Sequence, residues 1–463
     1  MPFAAPPTRT SMFQWVPTDQ QQLIDAEARM LKPIAGHYTQ TMVQTPHCPI
    51  NTIYSTAPHH KETVLLLHGF GFGLAQWVPN WQTLCQHANV YAIDMPGFAR
   101  SGRAAFSGGG EEAVLYFIQM IEEWIKAVWS HESAPKLVLI GHSFGGFIAV
   151  KFAMNYPQRV KQLILVDPFG VNEGVPQEVV VARNDLRSKA EKFRNWAVEK
   201  LFYKVSPMCP LRGLGPLGPK LVAPKMDKKN RQWSGHVEDG AVVDYLYHCN
   251  AQSPSGEQAF TKCITGMGAG FGDGFVAKFP LCHELPKLPA DIPLHFIYGS
   301  HTWIPHVGGY QTVRMRNERY DELLAAAVME RSDAESKRAA EGPESTVEVP
   351  ELPQQPISTI NIVPRAGHHV YVENASRFNG VLLELVVPSS RRKRSRGTSG
   401  NADGEASPSP LPEVTDGLLA AASSFEESSP AVPEMDPLSP ADAIPLNTQM
   451  AVRTVHTMEH MHH

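Results

Sequence analysis

The chain has 463 residues, 43% of them hydrophobic and 19% charged, with a formal net charge of −5. That apolar share suits a large buried core, and the acidic balance argues against a nucleic-acid binder. The six cysteines (Cys48, Cys85, Cys209, Cys249, Cys263 and Cys282) show no CxxC pairing, so free thiols of a reducing compartment are expected rather than a disulfide framework. The first ten residues lack a basic segment followed by a continuous apolar one, so no secretory signal is expected. Nowhere do about 18 apolar residues run uninterrupted, so no membrane span is expected. A cytoplasmic protein, free or peripheral on a membrane surface, is the resulting expectation.

Residues 1–35 form an N-terminal segment. Its first part is Pro-rich, with Phe3, Phe13, Trp15 and Val16 scattered along it. Such aromatics either dip into a bilayer interface or pack on the body of the protein. A helix is predicted over Gln20 to Leu31, and the Thr, Val, Ile and Tyr enrichment of 36–57 predicts a hairpin. Thr63 to Leu67 reads as a buried strand that ends in His68-Gly69-Phe70-Gly71. This is the pattern of an oxyanion loop, whose backbone donors face a developing alkoxide. A phosphate loop is the rival, but no Lys-Ser/Thr follows.

A second short strand begins at Asn89 and ends in Asp94-Met95-Pro96-Gly97, where Asp94 is expected to brace the turn. Glu111 to Ser130 has the apolar spacing of a long amphipathic helix. Leu137 to Ile140 is a buried strand running into Gly141-His142-Ser143-Phe144-Gly145, and helical spacing resumes at Phe147. Strand, G-x-S-x-G and helix together make a nucleophile elbow. Gln162 to Val166 is the next strand, closing in Asp167-Pro168.

From 168 to 288 the strand–helix rhythm stops. This stretch is expected to form a cap over the carboxyl ends of the strands, where α/β sheets bind ligands, a separate domain being the alternative. Strands return over Asp291 to Gly299 and at Thr359 to Pro364. Between them, 325–356 is rich in Ala, Glu, Ser and Pro and is expected to be a disordered insertion. Phe378 to Val387 is the last helix. Beyond it, 388–463 is expected to be a disordered tail that opens with the basic run Arg391 to Arg396. That run suits nuclear import, anionic lipid headgroups or a solvated linker. Four histidines near the end (His456, His460, His462 and His463) form no closed ligand set, and neither a metal nor another cofactor is expected.

The order of motifs is that of an α/β-hydrolase fold: a mostly parallel central sheet with helices on both faces and a mainly helical cap between strands 6 and 7. Its core falls in two parts, 36–167 and 289–387. Ser143 is the predicted nucleophile, with the backbone N–H groups of Phe70 and Phe144 as oxyanion donors. The base is expected after the last strand, at His368, with His369 as its competitor. The acid should follow the strand ending at Tyr298, but Gly299-Ser-His-Thr-Trp-Ile-Pro-His306 holds no carboxylate. Asp167 is the substitute expected from strand order; a Ser–His dyad completed by a polar group or water is the other outcome.

The chain resembles the α/β-hydrolase-domain-containing 4/5 family. The resemblance rests on His68–Gly71, Leu165 to Gly170, Tyr247 to Phe260, Phe296 to Gly299 and Ala366 to Tyr371, and spans roughly Phe13 to Val387. It implies a lipid hydrolase acting on (N-acyl/lyso)phospholipids at a membrane or lipid-droplet surface, working as a monomer. Other lipases or droplet-coat proteins are implied as further partners. The co-activator members resembled here carry Asn where the nucleophile belongs, so Ser143 places the chain with the hydrolytic ones. The family's His-x4-Asp motif, linked to acyl transfer to lysophosphatidic acid, corresponds to His368-x4-Glu373. The family acid, near Thr302 or at Pro305, is lost here. Acyl transfer and non-catalytic co-activation are the alternative functions.

Overall fold

The computed structural model describes residues 18–129, 133–173, 188–190, 193, 208–213, 223–267, 275–342, 346, 348–352 and 358–387. Eight strands form the main sheet: β1 (Thr39–Val43), β2 (Ile50–Ser55), β3 (Thr63–Leu67), β4 (Asn89–Ile93), β5 (Leu137–His142), β6 (Val160–Val166), then β9 (Leu294–Gly299) and β10 (Ser358–Val363). A separate antiparallel pair, β7 (Ile264–Met267) and β8 (Phe275–Ala277), lies in the chain between β6 and β9. The sheet order is β1-β2-β4-β3-β5-β6-β9-β10, and only the pairings of β2 are antiparallel. The order reverses at β3 and β5, which puts the oxyanion loop and the elbow side by side at a topological switch point.

A parallel strand covered on both faces must be apolar at every position, and β3 is buried along its whole length. Its alternation sorts the core into two layers. Leu65 and Leu67, with Leu137 and Leu139 of β5, pack against α3 (Gly110–Val128) and α4 (Phe144–Asn155) through Phe117, Trp124, Phe147 and Phe152. Val64 and Leu66, with Val138 and Ile140, face the other way. They pack with Met30 of α1 (Gln20–Leu31), Trp81 of α2 (Val78–Cys85) and, near the carboxyl end, Leu382. Asp19 opens α1 with a reciprocal cap to Gln22 (2.7 and 2.9 Å).

Within 168–288 the described elements include α5 (Asp227–Trp233), α6 (Ala241–Asn250), α7 (Ser255–Lys262) and the β7–β8 pair, so the described part of this stretch is mainly helical with one small antiparallel sheet. Asn250 donates to the Gly71 carbonyl at 2.7 Å, which ties α6 to the oxyanion loop. Phe260 of α7 stacks on Phe70 with centroids 4.1 Å apart.

The expectation of a disordered insertion at 325–356 needs correcting in its first half. One helix, α8, runs from Val307 to Glu341. Gly308, Gly309, Thr312 and Arg316 are buried at its start. Arg316 fastens it to the chain entering β9 by donating to the carbonyls of Leu288 and Ile292 at 2.8 and 2.9 Å. The remainder is exposed and propagates from that anchor, with residues of high helix propensity and an Arg331–Glu335 pair one turn apart (2.8 Å). The sheet closes with β10 and α9 (Ala375–Val386). Among the described residues no helix is long and apolar enough to cross a membrane. The aromatics Phe3, Phe13 and Trp15, nearly all of 184–202 and the tail 388–463 lie outside the described residues.

Candidate active site

Ser143 sits between β5 and α4 with φ 50° and ψ −115°. L residues rarely hold this backbone geometry, and it thrusts the side chain out of the turn. The flanking glycines are required by contact. A Cβ on Gly141 would lie 2.4 Å from the Gly145 carbonyl oxygen, and one on Gly145 would lie 2.5 Å from the carbonyl oxygens of Leu67 and His68. The elbow is therefore wedged against the end of β3, where the oxyanion loop begins. Gly69 lies against Ser143: a Cβ there would approach the Ser143 Cβ at 3.4 Å.

The oxyanion loop is held by buried polar contacts. His68 Nδ1–H donates to the Gly69 carbonyl (2.8 Å), and its Nε2 accepts from Met95 N–H (2.8 Å). Burial pushes the His68 imidazole down to about 4, so the ring is neutral, as this donor–acceptor pattern needs. Gly69 N–H donates to Gln76 (3.0 Å). Phe70 follows. Phe144 is the first residue of α4, and N–H groups in a helix's first turn have no partner within the helix.

Ser143, His368 and Asp167 form one hydrogen-bonded chain. His368 Nε2 is 3.1 Å from Ser143 Oγ, and His368 Nδ1 is 2.5 Å from Asp167 Oδ2. Asp167 is fully buried at the end of β6, with φ 44° and its N–H donated to the Ile297 carbonyl (2.8 Å). The competitor His369 turns elsewhere, with Nδ1 3.0 Å from the Tyr371 hydroxyl. Burial, with Lys229 and His368 nearby, holds its pKa well below the usual histidine value.

Three residues here make contacts that the motif reading does not assign. Thr302, marked by the sequence only as a place without a carboxylate, donates its hydroxyl to Asp167 Oδ2 at 2.6 Å. This is the same oxygen that His368 uses. Neutral His142, its pKa pushed far down mainly by burial, donates Nε2–H to the His368 carbonyl (2.9 Å) and joins the elbow to the base loop. Glu373 accepts from the N–H groups of Gly367 (2.7 Å) and His369 (3.3 Å), so it braces the loop that carries His368. The advance signal for these contacts is polar residue type in or beside a motif.

Asp94 braces its turn, accepting from the N–H groups of Leu74 (2.6 Å) and Arg100 (3.0 Å). Around the serine the walls are aromatic. Phe260 meets Phe144 edge-on at 4.8 Å, and Phe98 meets Phe70 at 6.0 Å. Trp303, half exposed, sets its ring 5.1 Å from His368. The arrangement can move a proton from a hydroxyl to an imidazole braced by a buried carboxylate.

Residues 62–202 match the family described as alpha/beta hydrolase fold. The chain is 35% identical over 315 residues to 1-acylglycerol-3-phosphate O-acyltransferase ABHD5 of Sus scrofa, covering 66% of this chain and 84% of that protein. It is 32% identical over 372 residues to (lyso)-N-acylphosphatidylethanolamine lipase of Homo sapiens, covering 80% of this chain and 92% of that protein. On this extent and identity, the chain belongs to the α/β-hydrolase-domain-containing 4/5 family of α/β-hydrolases.

Proposed function

We propose that this protein is a serine hydrolase that cleaves acyl esters of phospholipids, including N-acyl and lyso forms, at a lipid surface. The observation that carries the reading is the chain from Ser143 Oγ to His368 to Asp167, at 3.1 and 2.5 Å. His368 Nε2 takes the hydroxyl proton as Ser143 Oγ attacks the acyl carbonyl carbon. The N–H groups of Phe144 and Phe70 receive the oxyanion. His368 then passes the proton to the departing alcohol, and water, activated by the same imidazole, releases the fatty acid and frees Ser143. Asp167 keeps Nδ1 protonated and aimed.

The choice of lipid rests on the aromatic walls and on the lipase among the relatives. Acyl transfer to a lysophospholipid is the second reading, favoured by the acyltransferase name of the other relative. It uses the same acyl-enzyme with a lipid hydroxyl in place of water. A non-catalytic co-activator would leave Ser143 unreactive. A fluorophosphonate probe decides between catalysis and co-activation. Covalent labelling of the wild type that disappears in Ser143→Ala is expected, together with a loss of ester hydrolysis on the order of 10⁶-fold. Labelling that survives the substitution, or an unreactive wild type, sinks the proposal.

A further inference from the structure

The cap brings a cation to the triad's flank that no step above uses. Lys229 lies in α5, whose Trp233 stacks on Phe72 with centroids 5.9 Å apart. Phe72 directly follows the oxyanion loop, and its ring is 6.1 Å from His369, itself 5.2 Å from His368. The Lys229 ammonium stands over the Phe72 ring, 5.8 Å from its centroid. It makes no ion pair among the described residues. Glu373 faces it, but the Glu373 oxygens are already taken by the N–H groups of Gly367 and His369 and by Gln232 Nε2 (3.0 Å).

Lys229 is close enough for its charge to depress both His142 and His369. Burial brings its own pKa down to about 8, against the upward pull of Glu373. A half-buried ammonium whose facing carboxylate is shared with other donors and makes no ion pair with it gains from a second anion placed beside it. The neighbouring histidines are neutral or cationic in either protonation state, so they supply no negative charge. A neutral glyceride would not supply it either. A phospholipid would, because its phosphate lies only a few covalent bonds from the ester.

We propose that Lys229 is the headgroup subsite of this site, receiving the phosphate of a glycerophospholipid or lysophospholipid whose acyl ester lies at Ser143. The proposal rests on Ser143 as the place where the ester is held, and its test is a binding measurement that does not depend on turnover. Full-length Ser143→Ala is titrated calorimetrically with 1-hexanoyl-glycerol 3-phosphate, with 1-hexanoylglycerol and with inorganic phosphate. Adding Lys229→Met is expected to weaken the phosphate lipid by about 10- to 100-fold, the range for a charge-assisted contact. The neutral lipid should change by less than about twofold, and Lys229→Arg should keep most of the affinity. Inorganic phosphate should bind far more weakly than the phosphate lipid.

Equal weakening of both lipids, no change in either, or no binding of either overturns the proposal. Inorganic phosphate binding as tightly as the lipid, with the same loss in Lys229→Met, marks a free-phosphate site and overturns it as well. Failure of the hydrolase reading shows separately, as wild-type protein that does not hydrolyse 1-hexanoylglycerol.

Discussion

The chain leaves the sheet beside His368 at two places, after β6 and after β9. These strands are parallel neighbours, with Val166 opposite Ile297. After β6 the chain turns through a buried aspartate at positive φ, and after β9 it runs through Ser300, His301 and Thr302 with no acid at all. Yet both ends meet at one oxygen, because Asp167 Oδ2 accepts from His368 and from Thr302. The carboxylate that faces His368 is thus delivered by the β6 end, at a point in space that the β9 end also reaches. The end that does not deliver it can still hold it in place.

The largest test of that division of labour is Asp167→Asn. The amide keeps the shape but presents the wrong partner to Nδ1–H, so kcat on a soluble ester should fall about 10⁴-fold. Circular dichroism should be unchanged. A loss below about tenfold would mean that the β6 end is not the working one.

Thr302→Val removes one hydrogen bond to the carboxylate and leaves the acid. About a tenfold fall in kcat is expected, with KM little changed. A loss as large as that of Asp167→Asn would make the two ends equal in weight. Pro305→Asp, which returns an acid to the β9 side, should change wild-type activity by less than about threefold. In the wild type one orienting carboxylate already saturates Nδ1–H, and in the Asp167→Asn background recovery should stay below about tenfold because the amide still occupies the place beside Nδ1. Full recovery there would show the ends to be interchangeable.

The smallest effect concerns stability around these strand ends. His68, His142, His295 and His369 are held neutral by burial, with His68 and His295 at about 4. Their folded pKa values lie below the unfolded 6.5, so the unfolded chain binds more protons as pH falls below 6.5, and stability drops from there down toward pH 4. Glu27, lifted by burial and by Asp94 to about 7, and Asp94, also raised mainly by burial, work in the opposite direction, but they are two groups against these four, to which the lowered His60, His236 and His248 add. Melting temperature should fall by roughly 5 °C between pH 6.5 and 5.5. A rise over that interval would show the histidines to be accessible.

Much of this site can be seen in the sequence because its chemistry is tied to backbone geometry. Gly141, Ser143 and Gly145 declare the elbow, since only those residue sizes fit beneath it. His368 follows from the order of strands, and Asp167 follows from knowing which strand lies beside the elbow. Thr302 could not be assigned a role in advance, because its contact depends on the register between β6 and β9. Lys229 gave no signal either, since a lysine in a polar stretch looks like any solvated one. The α8 helix is hidden in the sequence for a different reason. Low hydrophobicity signals that a segment has no core of its own, but Ala-, Glu- and Arg-rich sequence still propagates a helix once Gly308 to Arg316 are anchored.

The strain at Ser143 has a meaning for how such a protein changes over generations. A serine at φ 50° and ψ −115° works against folding by roughly 1–3 kcal/mol, and a glycine would be relieved of much of that strain. Ser143→Gly should therefore melt at a higher temperature than the wild type while losing all turnover. Selection for stability alone would favour replacing Ser143, and on the proposed function only selection for turnover retains it. Loss of activity in a descendant of this chain would then be a downhill step, open to a lineage in which only binding is useful.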